Sequence, residues 1–92
     1  MNNTEKGYYL DHFDVIVKEL KFIITSFMMV AMSYSIESGE EVETTTRYQD
    51  AQDVQAILDA VKEHKWEEAK ELAHSMDSEP REHLPEHFWE YD

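Results

Sequence analysis

A chain of 92 residues with no cysteine and a formal net charge of −13 is one small domain without a disulfide framework or a thiolate site. Hydrophobic content of 41% with 12% aromatics argues against wholesale disorder, while so short a chain builds a thin core that favours a second subunit. Only two glycines are present, and there is no phosphate-cradling loop, no Gly-x-Ser-x-Gly elbow and no calcium-loop run, so the common catalytic and nucleotide-binding classes fall away.

The opening "MNNTEKGYYLDHF" lacks the basic and apolar regions of a signal peptide. The most apolar stretch, "FIITSFMMVAM", is shorter than the roughly 20 apolar residues a bilayer crossing takes. The expectation is a soluble, cytoplasmic protein. Leu10, Phe13, Val17, Leu20, Ile24 and Phe27 recur at helical steps. They predict a helix from Tyr9 to Ser38, stopped by Gly39. Beyond Lys21 the apolar set spreads around the helix, and a helix apolar on several faces must bury several faces. This predicts a homodimer seam of Phe22, Ile23, Phe27, Met28 and Val30. A competing reading makes residues 22–48 a β-hairpin, because Ile23, Ile24, Thr25 and "VETTTRY" suit strands.

"GEEVETTTRYQD" reads as a linker. Asp50 or Asp53 then caps a helix with Val54, Ile57, Leu58 and Val61 on one face. "EHK" turns the chain into a second stripe of Trp66, Ala69, Leu72, Ala73 and Met76, completing an αα-hairpin. Ser78 and Pro80 mark a break, and Pro85 interrupts the end. In the closing "EHFWEYD", aromatics alternate with acids. Phe88 and Trp89 are expected to pack on the body, with Glu86, Glu90 and Asp92 facing out. The predicted fold is therefore mainly α: a long N-terminal helix, an αα-hairpin and a short helical or extended tail. It forms a single domain, residues 1–92, with an apolar association part (1–38) and an acidic part (39–92).

His83 and His87 are four apart, and such a pair on a continuous helix can share a metal. Pro85 breaks that turn, and solvated histidines are the plainer reading. His12 near Asp11 and Asp14, and His64 beside Glu63, could be drawn as acid–base pairs, but acids are too common here for that adjacency to carry weight. No catalytic residue, cofactor or metal is expected.

The charge is the main signal. Residues 1–36 hold four acids against three bases, and residues 37–92 hold seventeen against five. Glu37, Glu40, Glu41, Glu43, Asp53, Asp59, Glu63, Glu67, Glu68, Glu71, Glu82, Glu86, Glu90 and Asp92 form the expected partner-binding surface. Solubility needs a net charge of only about 2–8 in a small domain, and excess like charge destabilises the compact state. Duplex DNA carries one negative charge per roughly 1.7 Å of axis, a spacing that carboxylates on helices can imitate. The expected partner is then a protein that binds phosphates through Lys and Arg. The alternatives are an acidic helical adaptor for one basic protein, or a small metal-binding protein using His83 and His87.

The stretch "NNTEKGYYLDHFDVIVKELKFIITS", the acidic hairpin and the "HFWEYD" end resemble the anti-restriction nuclease (Arn) family of T-even bacteriophages. The likeness spans the whole chain but rests on no short motif. It implies a dimeric inhibitor, shaped and charged like duplex DNA and acting in the host cytoplasm. Such a protein would occupy the DNA-binding surfaces of a host restriction nuclease directed at modified cytosine and of a histone-like nucleoid protein. It would bind no nucleic acid and no membrane itself.

Overall fold

The computed structural model describes residues 1–89. Six helices follow in order: α1 (Asn3–Asp11), α2 (Phe13–Ser38), α3 (Thr46–Lys62), α4 (Trp66–Ser75), α5 (Ser78–Arg81) and α6 (Glu86–Trp89), with a 3-10 turn (Val42–Thr44) before α3. No strand occurs among the described residues, so the β-hairpin alternative for residues 22–48 is set aside. No described helix is long and apolar enough to cross a membrane.

The expected first helix is really two. Asn2 starts α1 by accepting the Glu5 amide at 2.8 Å. The helix then breaks at His12, whose backbone sits at φ −103°, ψ 11°. Neither proline nor glycine causes the break. The Tyr8 carbonyl accepts both the His12 amide at 3.0 Å and the His12 ring Nδ1–H at 2.8 Å, so the side chain competes for a helical acceptor. Helix α2 ends as expected, at Gly39 in the left-handed region (φ 78°), which donates to Ser35.

The stretch read as a linker is bonded throughout. The Thr44 and Thr45 hydroxyls donate to the Glu41 and Val42 carbonyls at 2.8 Å. Gln49 reaches the Glu43 carbonyl at 3.1 Å. Thr45, not Asp50 or Asp53, caps α3 by accepting the Tyr48 amide, so the helix begins earlier than the apolar stripe alone indicates. The α3–α4 turn also has a specific form. Lys65 N–H bonds the Ala60 carbonyl, His64 N–H bonds the Val61 carbonyl, and His64 takes φ 61°. This is the Schellman closure, with histidine where glycine usually stands.

The core lies where α2, α3 and α4 meet. Ile16, Leu20, Val54, Ile57, Leu58, Val61, Ala69 and Ala73 are buried there. Tyr9 joins from α1, stacked on Trp66 at 4.9 Å. Phe88 of α6 is fully buried, and its carbonyl accepts the Tyr9 hydroxyl at 3.2 Å. The expectation that the end packs on the body thus holds for Phe88, with Trp89 half-buried against the core. Glu90 and Asp92 lie outside the described residues. Helices stack side by side into a rod of 49 × 22 × 20 Å.

Candidate acidic surface

Each of the twelve described acids of the expected surface is exposed: Glu37, Glu40, Glu41, Glu43, Asp53, Asp59, Glu63, Glu67, Glu68, Glu71, Glu82 and Glu86. Exposure follows from the helical stripe. When Val54, Ile57 and Val61 face inward, Asp53, Asp59 and Glu63 must face out or sideways. Glu37 stands on the last turn of α2, and Glu40, Glu41 and Glu43 ride on the bonded segment just described. Their backbone is fixed on α2 as well, because the Ser35 hydroxyl donates to the Glu40 carbonyl and the Glu40 amide donates to the Ser38 hydroxyl at 3.2 Å.

The structure does not treat these acids equally. Glu63 faces Lys65 at 3.6 Å, and Glu67 is bound by the Met1 amine. That amine's hydrogen bond holds the Glu67 carboxyl below its usual range. Glu67 is therefore partly neutralised within the protomer, a contact invisible to helical spacing because its partner lies 66 residues away. The remaining ten make no ion pair among the described residues. Asp59 only accepts the Gln55 amide at 2.9 Å.

Asp53 differs from the other surface acids in its surroundings. It borders a small apolar groove between α3 and α4 walled by Ala56, Leu72, Ser75 and Met76. Partial burial, with Asp50 and Asp77 nearby, pushes its carboxyl above the usual range. It is thus a stability cost that the fold carries.

Arg47 makes three contacts, and two of them join residues that helical spacing does not connect. Arg47 holds Glu79 through two bonds of 2.6 and 2.7 Å and Asp50 through one of 3.0 Å. The guanidinium also lies 4.5 Å from the centre of the Phe27 ring. Phe27 is thereby buried inside the protomer, and His83 meets it edge-on at 5.4 Å. This corrects the expected seam: Phe27 faces the body, because Arg47 and His83 from across the bundle cover it. Phe22 and Val30 do stand exposed, at 73% and 52%, while Ile23 and Met28 are half-buried.

The histidines regroup too. The His83 ring Nε2 lies 3.2 Å from Glu79, while His87 lies 2.9 Å from Glu19 on α2. The two side chains are turned to different carboxylates, so the structure does not bring together the His83–His87 pair of the alternative metal reading. Pro85 explains the separation, since it ends one helical turn before the next begins. Instead His87 sits beside His12, ring centres 5.3 Å apart. No group of three or more His, Asp or Glu side chains among the described residues is arranged to hold a metal. His12 turns to Tyr8 rather than to Asp11 or Asp14, and His64 lies against Phe13 at 5.0 Å, so neither acid–base pair forms.

Comparison of the chain with protein-family models, with curated proteins and with solved structures gave no match.

Proposed function

We propose that this protein inhibits DNA-binding proteins by presenting carboxylates in place of the phosphates of duplex DNA. One observation carries the reading. Ten exposed acids, without cationic partners among the described residues, stand on a bonded helical scaffold 49 Å long. Over that length one DNA strand would present about 14 phosphates at roughly 3.4 Å each, and the net charge of the chain is −13. The comparison is one of charge per length, and it corresponds to one strand's complement of phosphates rather than two. Fixed backbone matters here because flexible acids would lose conformational entropy on docking.

The partners follow from the same chemistry: clefts lined with Lys and Arg that track a backbone without reading bases. The resemblance to anti-restriction nuclease proteins makes a host restriction nuclease and a histone-like nucleoid protein the first candidates, with the protein acting as a homodimer in the host cytoplasm. A dedicated acidic adaptor for a single basic protein remains the rival reading. It is favoured by the apolar groove of about 650 Å³ along α2, lined by Val15, Phe22, Ile23, Phe27 and Pro85.

Competition decides between them. Unrelated phosphate-gripping proteins, including a nucleoid protein and a nuclease, are pre-bound to labelled duplex and the protein is titrated in. Displacement from several of them, weakening steeply with salt, supports the mimic. Failure to displace duplex from any of them, or salt-independent binding of one alone, overturns it.

A further inference from the structure

We propose that His12 and His87 form a two-histidine site for a borderline divalent metal ion of the zinc, nickel and copper class, closing α6 onto the α1–α2 junction. The inference rests on tautomers. A backbone carbonyl can only accept, so the 2.8 Å contact between His12 Nδ1 and the Tyr8 oxygen fixes the proton on Nδ1. An ionised carboxylate likewise only accepts, and His87 Nδ1 donates to Glu19 at 2.9 Å. In each neutral ring, Nε2 therefore keeps its lone pair. Metal-binding histidines are commonly held in this way, with the second ring nitrogen donating to a carbonyl or carboxylate that fixes the ring and raises its basicity.

Spacing agrees with the tautomers. A zinc ion about 2.0–2.1 Å from each of two ring nitrogens, at a tetrahedral angle, holds their centroids roughly 5 Å apart. The His12 and His87 centroids are 5.3 Å apart. Both rings are half-exposed, so an ion can enter and water can complete its coordination. Three contacts hold the two rings in place: His12 stacks on Tyr8 at 4.1 Å, the Tyr9 hydroxyl bonds Phe88 next to His87, and Phe88 is buried. Standing 75 positions apart, the two histidines give no signal in the sequence.

The test is titration of the full chain with zinc, with nickel and with copper, followed by thermal unfolding and, for zinc, by histidine ring NMR signals. Zinc should raise the melting temperature and broaden or shift the His12 and His87 resonances before those of His64, His74 and His83. His12→Asn and His87→Asn should each abolish that shift, and Glu19→Gln should weaken binding by about 10–100-fold, as for other outer-shell partners. Copper should bind more tightly than nickel. If one of the asparagine variants unfolds, the NMR order of perturbation in the unaltered chain still decides. Equal perturbation of all five histidines, or zinc stabilisation unchanged in folded His12→Asn, overturns the proposal.

Discussion

The guanidinium of Arg47 lies over Phe27, 4.5 Å from its ring centre, while it holds Glu79 by two hydrogen bonds. One cation thus seals a core aromatic, neutralises the 7% exposed Asp50 and fastens α5 to α3. Arg47→Ala removes the cover from Phe27 and leaves Asp50 buried without its partner. The expected loss is about 2–3 kcal/mol, read from chemical denaturation. Lys at this position should rescue only part of it, because one ammonium cannot reproduce the fork.

The same clamp sets a pH window. Arg47, with help from His83, holds the Glu79 carboxyl down at about 2 from an ordinary value of 4.5. A depressed carboxyl stabilises the fold above its unfolded value, and that contribution is lost as pH falls from about 4.5 to about 2. Acid titration of unfolding should therefore show Glu79→Gln less stable than the parent at pH 7 and closing the gap across that window. A constant gap down to pH 2 would show that the ion pair contributes nothing. Glu79 is open to solvent, so the effect is screened and should shrink with added salt.

Asp53 gives the opposite sign. Its carboxyl is pushed upward by burial and by Asp50 and Asp77, so its charge is unfavourable in the fold at neutral pH and the penalty is relieved as pH falls. Asp53→Asn should raise the melting temperature at pH 7 and make little difference at pH 3. If the acidic surface binds a phosphate-gripping partner, the same substitution should weaken binding. Stability and affinity moving in opposite directions would identify a residue kept for its charge. Loss of stability at pH 7 would show that Asp53 serves the fold instead.

The surface acids can be separated from the structural ones by paired substitutions. Glu68→Gln with Glu71→Gln should leave unfolding nearly unchanged, since Gln has similar helix propensity, and should lower partner affinity and flatten its salt dependence. Glu67→Gln should behave differently, because its carboxylate is engaged by the Met1 amine. Binding assays at two ionic strengths, alongside circular dichroism, distinguish these outcomes.

What the sequence made legible was periodic or local. The stripe Val54–Val61 lies in a helix, the stripe from Trp66 forms a second helix that ends at Ser75, the turn between them falls at "EHK", and Gly39 ends α2. What it hid depends on partners far along the chain. The break at His12 arises from a ring-to-carbonyl bond with no glycine or proline to announce it. The early start of α3 rests on Thr45, one of three threonines that read equally well as loop. Phe27 belonged to the apolar stripe either way, and Arg47, twenty positions later, and His83 decide that it faces inward. The outward acids were readable because charge and helical phase suffice. Which of them are neutralised was not, because that requires knowing where Lys65, Arg47 and the Met1 amine arrive in space.

The open face of α2 yields the last prediction. Phe22, Met29, Val30, Met32, Tyr34 and Ile36 are between 51% and 83% exposed on one helix. Scattered apolar side chains are ordinary on a surface, but a continuous run along one helix is not. A second copy laid along it would bury the run, with the acidic parts of both copies left outside, and the charge of the pair would double. Sedimentation at micromolar concentration should therefore give twice the 10.9 kDa chain mass. Phe22→Ser with Ile36→Ser should give a monomer with unchanged helix content, since neither side chain is buried in the protomer. Phe27→Ala should instead cost about 3–5 kcal/mol of protomer stability, as buried aromatics do. A parent chain that sediments as a monomer would remove the dimer from the proposed function, while the carboxylate row would stand on its own.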